Sequence, residues 1–169
     1  MRFNTVFASV TAGLVLLLGA CAARDRGAHI GTNKDYVDWQ ERSLTVEGDR
    51  KDLCRETLGY DYPGGKIKYW VHGQDSVWLL VAQGKHGLIT SRITVEKGVI
   101  TDFYIVDSRE VRFKKSAASG FIEQLKGLCL AGVDRLSGRV DAVTGATVSS
   151  KALERTALLA LRLDGVLAP

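Results

Sequence analysis

Residues 141 to 150 read Asp-Ala-Val-Thr-Gly-Ala-Thr-Val-Ser-Ser and hold the densest run of hydroxyls in the chain. Behind them Leu153, Ala157, Ala160 and Leu161 recur at helical spacing, which predicts a helix from about residue 150 to 163. The run is therefore a glycine-containing turn feeding a helix N-terminus. Unpaired backbone N–H groups and the positive end of the helix dipole make such a place favourable to phosphate. Gly145 permits a close backbone approach, and Thr147 presents its hydroxyl near the same point. A phosphate ester on that hydroxyl would sit where the dipole stabilises its charge. The same residues also suit a plain helix cap, with Ser149 or Ser150 closing the exposed N–H groups and Gly145 only making the turn.

No other stretch assembles a catalyst. The sequence shows no nucleophile–histidine–acid set and no glycine-rich strand-to-helix unit of the nucleotide-binding kind. His29, His72 and His86 stand without partners at metal-ligand spacing, so no metal site is expected. His86 lies in a glycine loop, Gly84-Lys85-His86-Gly87. Arg109, Arg112, Lys114 and Lys115 form the densest basic cluster, suited to a nearby anion or to solvent. Trp70, Trp78 and the tyrosines near Tyr60 offer ring faces, although aromatic residues in strands usually serve the core. Cys54 and Cys129 fit either a disulfide or two buried thiols.

The elements that must position these residues follow from local pattern. A short helix is expected over about 49–57, stopped at Gly59, followed by a turn cluster, Tyr60-Asp61-Tyr62-Pro63-Gly64-Gly65. Residues 67–71 alternate as a strand. Residues 77–82 (VWLLVA) are apolar on both faces, as in an interior strand. Ile89, Ile93 and Val95 share one face of the next strand, and Lys97-Gly98 turns it into residues 99–106 as a hairpin. Phe121, Ile122, Leu125, Leu128 and Cys129 predict a middle helix behind a small-residue start at 116–119, with a loop over 132–139. The sum is an α+β domain, a small antiparallel sheet with helices packed against it.

At 169 residues, 46% hydrophobic and 25% charged, the chain suits one globular domain, here taken as 35–169. A net charge of +4 without a one-sided basic stripe argues against nucleic acid as a partner. The first twenty residues differ in kind. Arg2 is their only charge, and the apolar run over 6–20 has the length of a secretory signal. It ends in Leu18-Gly19-Ala20-Cys21, which resembles a bacterial lipobox and implies a signal peptide over 1–20 and lipidation of Cys21. More than one acyl chain there would anchor the protein stably. Residues 21–34 then read as a tether, placing the domain in the cell envelope, on the periplasmic or extracytoplasmic face of a membrane.

The stretch from Asp141 to Thr147 resembles the flavinylation motif of the FMN-binding domain family, D-x-x-[S/T]-G-A-[T/S], at every specified position. Members include the periplasmic flavin subunits of the sodium-pumping NADH:quinone reductase and of the Rnf complex. The resemblance implies covalent FMN on Thr147, with Asp141, Thr144, Gly145 and Ala146 read by a flavin transferase that uses FAD and a divalent metal. It extends over roughly 66–163, and is strongest there. Gly84, His86 and Gly87 fall in the family's glycine loop and become candidate flavin contacts. Residues 108–115 depart from the family's usual loop, and the lipid would replace the transmembrane anchor of the complex subunits. The implied activity is electron transfer at a membrane surface, between an unidentified donor and an acceptor protein or quinone. A flavin-dependent reductase subunit acting on a small acceptor, or a non-redox lipoprotein whose motif is only a cap, are the alternatives.

Overall fold

The computed structural model describes residues 38–110 and 115–167. The leader, Cys21, the tether, His29, Arg112 and Lys114 lie outside the described residues. Five strands form one antiparallel sheet in sequence order: β1 (Gln40–Thr45), β2 (Lys66–His72), β3 (Asp75–Gln83), β4 (Leu88–Glu96) and β5 (Val99–Ser108). Helix α1 (Asp49–Leu58) joins β1 to β2, while α2 (Lys115–Leu125) and α3 (Thr147–Leu167) follow the sheet. The fold is α+β, as expected.

One face of the sheet makes the core. Ile67 and Tyr69 on β2, Trp78 and Leu80 on β3, Ile89 and Ile93 on β4, and Phe103 on β5 are all buried there. The register brings Tyr69 opposite Trp78 opposite Ile93 opposite Phe103, so alternation carries one apolar row across four strands. Tyr69 stacks on Trp78 at 4.6 Å between ring centres. Trp78 is thus a core residue. Helix α3 lies across β3, β4 and β5 and buries Leu153, Ala157, Leu159, Ala160, Leu161 and Leu163. Removing its four buried leucines from water, at roughly 1.5–3 kcal/mol each, is what holds this helix to the sheet.

Helix α1 packs on α3, and two arginines of α3 pin its end. Arg155 Nη1 donates to the Leu58 carbonyl at 2.6 Å, and Arg162 Nη1 donates to Thr57 Oγ1 at 2.6 Å. The tyrosines after α1 finish a sheet edge. Strand β2 leaves β3 at the Lys68–Leu79 pair, and beyond it the amides of Val81 and Gln83 donate to the hydroxyls of Tyr62 and Tyr60. Those rings therefore serve the β3 edge.

The structure adds a strand, shortens the middle helix and decides an open alternative. Strand β1 carries no apolar alternation; four of its six residues are exposed, and it reads as an edge strand only once β2 lies beside it. The middle helix ends at Leu125, before Leu128 and Cys129. There Gly127 N–H donates to the Ile100 carbonyl, Ile100 N–H donates to Leu128, and Cys129 bridges to Val99, so this apolar pair extends the sheet. Cys54 is a buried free thiol, which excludes a Cys54–Cys129 bridge. Burial pushes that thiol up to about 11, so it stays protonated near neutral pH.

Candidate functional site

Helix α3 begins at Thr147, earlier than the sequence periodicity indicates. The turn that launches it is closed by Ala146 N–H donating to the Val143 carbonyl at 2.9 Å. Gly145 sits at φ 78 in that turn, a left-handed conformation that costs a residue with a Cβ about 1–2 kcal/mol. The Ala146 carbonyl accepts the first helical bond, from Ser150 N–H at 2.9 Å. The amides of Thr147, Val148 and Ser149 therefore precede the first helical hydrogen bond and belong to the orphan donors of a helix N-terminus.

Ser149 and Ser150 are not the cap. Both lie inside the first turn and are buried. Ser150 Oγ donates back to the Ala146 carbonyl and accepts from Val143 N–H, each at 3.0 Å, which ties the motif turn to the helix it starts. Further upstream, the side-chain amide of Gln124 on α2 receives Asp141 N–H at 2.8 Å and donates to the Asp141 carbonyl at 3.5 Å. The Asp141 carboxylate points outward and pairs with Arg139 at 3.3 Å. Asp141, Thr144, Gly145 and Thr147 are all exposed, and Ala146 is buried beneath them.

Glu110 is a residue that the sequence did not single out. It is buried, 8% exposed, just after β5. One carboxylate oxygen accepts from His86 N–H at 2.6 Å and the other from Ser149 Oγ at 2.8 Å. This carboxylate joins the glycine loop to the first turn of α3. Gly84 is required by that packing: a Cβ there would stand 2.5 Å from Glu110 Oε1 and 2.9 Å from the Ile89 side chain. Gly84 N–H donates to the Gly87 carbonyl, closing the loop, and the Arg109 side chain packs across Gly87. The candidate loop residues Gly84, His86 and Gly87 are thus brought to the motif helix through one side chain. A lone glutamate between an arginine and a valine carried no signal of this role.

The two sides of the helix start differ in character. Ser149 and its Glu110 partner lie about 200° around the helix from Thr147, so the buried carboxylate faces the core while the threonine faces solvent. On the solvent side Thr57, Asp134, Arg135, Leu136, Lys151, Glu154, Arg155 and Leu158 line an open hollow of about 330 Å³. Among the described residues no cluster of histidine, cysteine and carboxylate side chains could hold a metal ion. Trp70 is half-buried on the sheet face away from α3, remote in register from the motif, and His72 packs its ring against Trp39.

An exposed threonine at the head of a helix, with orphan amides around it and a left-handed glycine before it, is a phosphate-accepting arrangement on an α+β domain. Residues 84–162 match the model of the FMN-binding domain family, and over these residues the chain is similar to that family. The match begins at the glycine loop and ends within α3, so α1 and the strands β1, β2 and β3 of the same sheet precede it. No curated protein and no solved structure matches the chain. The residues present fit the cofactor. FMN has one phosphate, and the helix start offers donors, a favourable dipole and an accessible hydroxyl within one turn.

Proposed function

We propose that this chain is an exported, lipid-anchored flavoprotein that carries FMN covalently on Thr147 and passes electrons at a membrane surface. The observation that supports it most strongly is the exposure of Thr147 as the first residue of α3, inside the family match. A transferase can reach this hydroxyl without unfolding the domain. In that step the Thr147 oxygen attacks the FMN-side phosphorus of FAD and the bond to the AMP phosphate breaks. AMP leaves and the hydroxyl proton is released, so the protein gains FMN less one water.

The resulting phosphodiester carries a single negative charge. The amides of Thr147, Val148 and Ser149 and the dipole of a 21-residue helix would hold it. When bound, the flavin supplies one- or two-electron transfer, and the protein fixes its place. Covalent attachment suits a cofactor outside the cytoplasm, where a dissociated flavin would be lost. Asp141, Thr144, Gly145 and Thr147 stand at the surface, with Ala146 beneath them, as a recognition sequence for the transferase. Cys21 would carry the lipid, and 21–34 would hold the domain off the membrane.

Thr147→Ala tests the attachment. Its side chain is exposed and makes no hydrogen bond among the described residues, so stability should change by less than about 0.5 kcal/mol. Covalent flavin should vanish while the melting temperature holds, and Thr147→Ser should retain the flavin. Flavin that stays bound to the alanine variant through denaturation would place the attachment elsewhere.

A further inference from the structure

Lys151 stands four residues after Thr147 on α3 and is exposed. Residues four apart lie on one flank of a helix, with their Cβ atoms about 5–6 Å apart. Helical side chains lean toward the N-terminus, so the Lys151 stem runs back along the surface that Thr147 occupies. Among the described residues no ion pair to Lys151 is formed, not even with Glu154 one turn on, although neighbouring arginines are engaged. Arg155 is spent on the Leu58 carbonyl and Arg135 on the Ala131 carbonyl. A cation in the opening turns of a helix gains nothing from the dipole, which favours negative charge there. Among the described residues this ammonium thus has no ion-pair partner. The hollow beside it has three cationic side chains, Arg135, Lys151 and Arg155, against two anionic ones, Asp134 and Glu154. The excess is one positive charge, and a threonine–FMN phosphodiester brings one negative charge.

We infer that Lys151 is a positioning residue for the FMN phosphodiester on Thr147, pairing with its non-bridging oxygens and holding the tethered flavin against the solvent flank of α3. The inference rests on the attachment proposed above. On this geometry the helix amides and the ammonium grip the phosphate from two sides, and the ribityl chain leaves along the flank that Lys151 defines.

The test is a thermodynamic cycle between FMN attachment and the lysine, with the full chain melted in four forms: with and without FMN, and with Lys151 or Lys151→Gln. Without FMN the two chains should melt together, because the lysine has no partner to lose. With FMN, Lys151→Gln should forfeit about 2 °C of the rise that attachment gives the parent. The difference should disappear in about 1 M NaCl, where charges are screened within about 3 Å, and Lys151→Arg should restore it in low salt. An equal FMN-dependent rise in both chains would overturn the assignment. Failure of the glutamine chain alone to accept FMN would also overturn it, moving the lysine's role to maturation. Absence of FMN from the parent chain would instead overturn the attachment reading, and this inference with it.

Discussion

Glu110 illustrates how a single buried polar group organises this site. Its two oxygens satisfy a backbone amide in the glycine loop and a hydroxyl in α3. Replacement by alanine leaves His86 N–H and the Ser149 hydroxyl without their acceptor in a buried place, a cost of about 1–3 kcal/mol. Glu110→Ala should lower the melting temperature and speed amide exchange at His86 and through the first turn of α3. Unchanged exchange at both places would show that the loop and helix are held by packing alone. Asp164 near the far end of α3 is a half-buried carboxyl, accepting from Ser76 Oγ at 2.5 Å. Burial, with Asp75 nearby, raises it above the ordinary value of 3.8, against the opposing effect of its Ser76 and Trp78 hydrogen bonds. A carboxyl raised in the fold binds its proton more tightly there than in the unfolded chain. Its contribution is therefore full below the unfolded value and is lost as pH rises through the folded one. Asp164→Asn should match the parent in acid and gain in relative melting temperature as the pH rises above about 4. A difference that is flat over that range would contradict the reading.

At the scale of elements, the start of α3 decides what the motif can do. A helix beginning at Ser150 would leave Thr147 in a loop with its hydroxyl off the dipole axis. Starting at Thr147, the helix places that hydroxyl at its positive end and turns Ser149 and Ser150 inward. The sequence misplaced this boundary because Thr147 and Val148 face solvent and Ser149, though buried, is polar, and an apolar stripe is what periodicity detects. The end of α2 misled for the opposite reason. Leu128 and Cys129 continue the helical spacing, but their backbone pairs with β5, and spacing does not register a hydrogen-bonded partner distant in the chain. Strands β2 to β5 and helix α1 were legible because each carries its own local pattern and turn residues. Strand β1 was not, since an exposed edge strand has no buried face to generate alternation. In the candidate site the motif was legible as a linear string, whereas the Glu110 and Gln124 contacts that hold it join residues 39 and 17 positions apart.

On the scale of the whole molecule, one sheet unites the part of the chain that matches the FMN-binding domain with the three strands that precede it. Tyr60 and Tyr62 close the β3 edge beside the glycine loop, so the unmatched part also supports the site. The proposed anchor is tested independently of the flavin. Cys21→Ser should move the protein from the membrane fraction to the soluble envelope fraction and abolish incorporation of labelled palmitate, while FMN attachment persists. Membrane association that survives this change would assign anchoring to something other than a lipid on Cys21. The central claim concerns the phosphate on Thr147, and the most direct measurement is intact and peptide mass of the denatured protein after co-production with a flavin transferase. The account predicts flavin fluorescence that survives denaturation and a gain of FMN less one water on the peptide containing Thr147. An unmodified Thr147 under those conditions would contradict it and reduce the motif to the start of a helix.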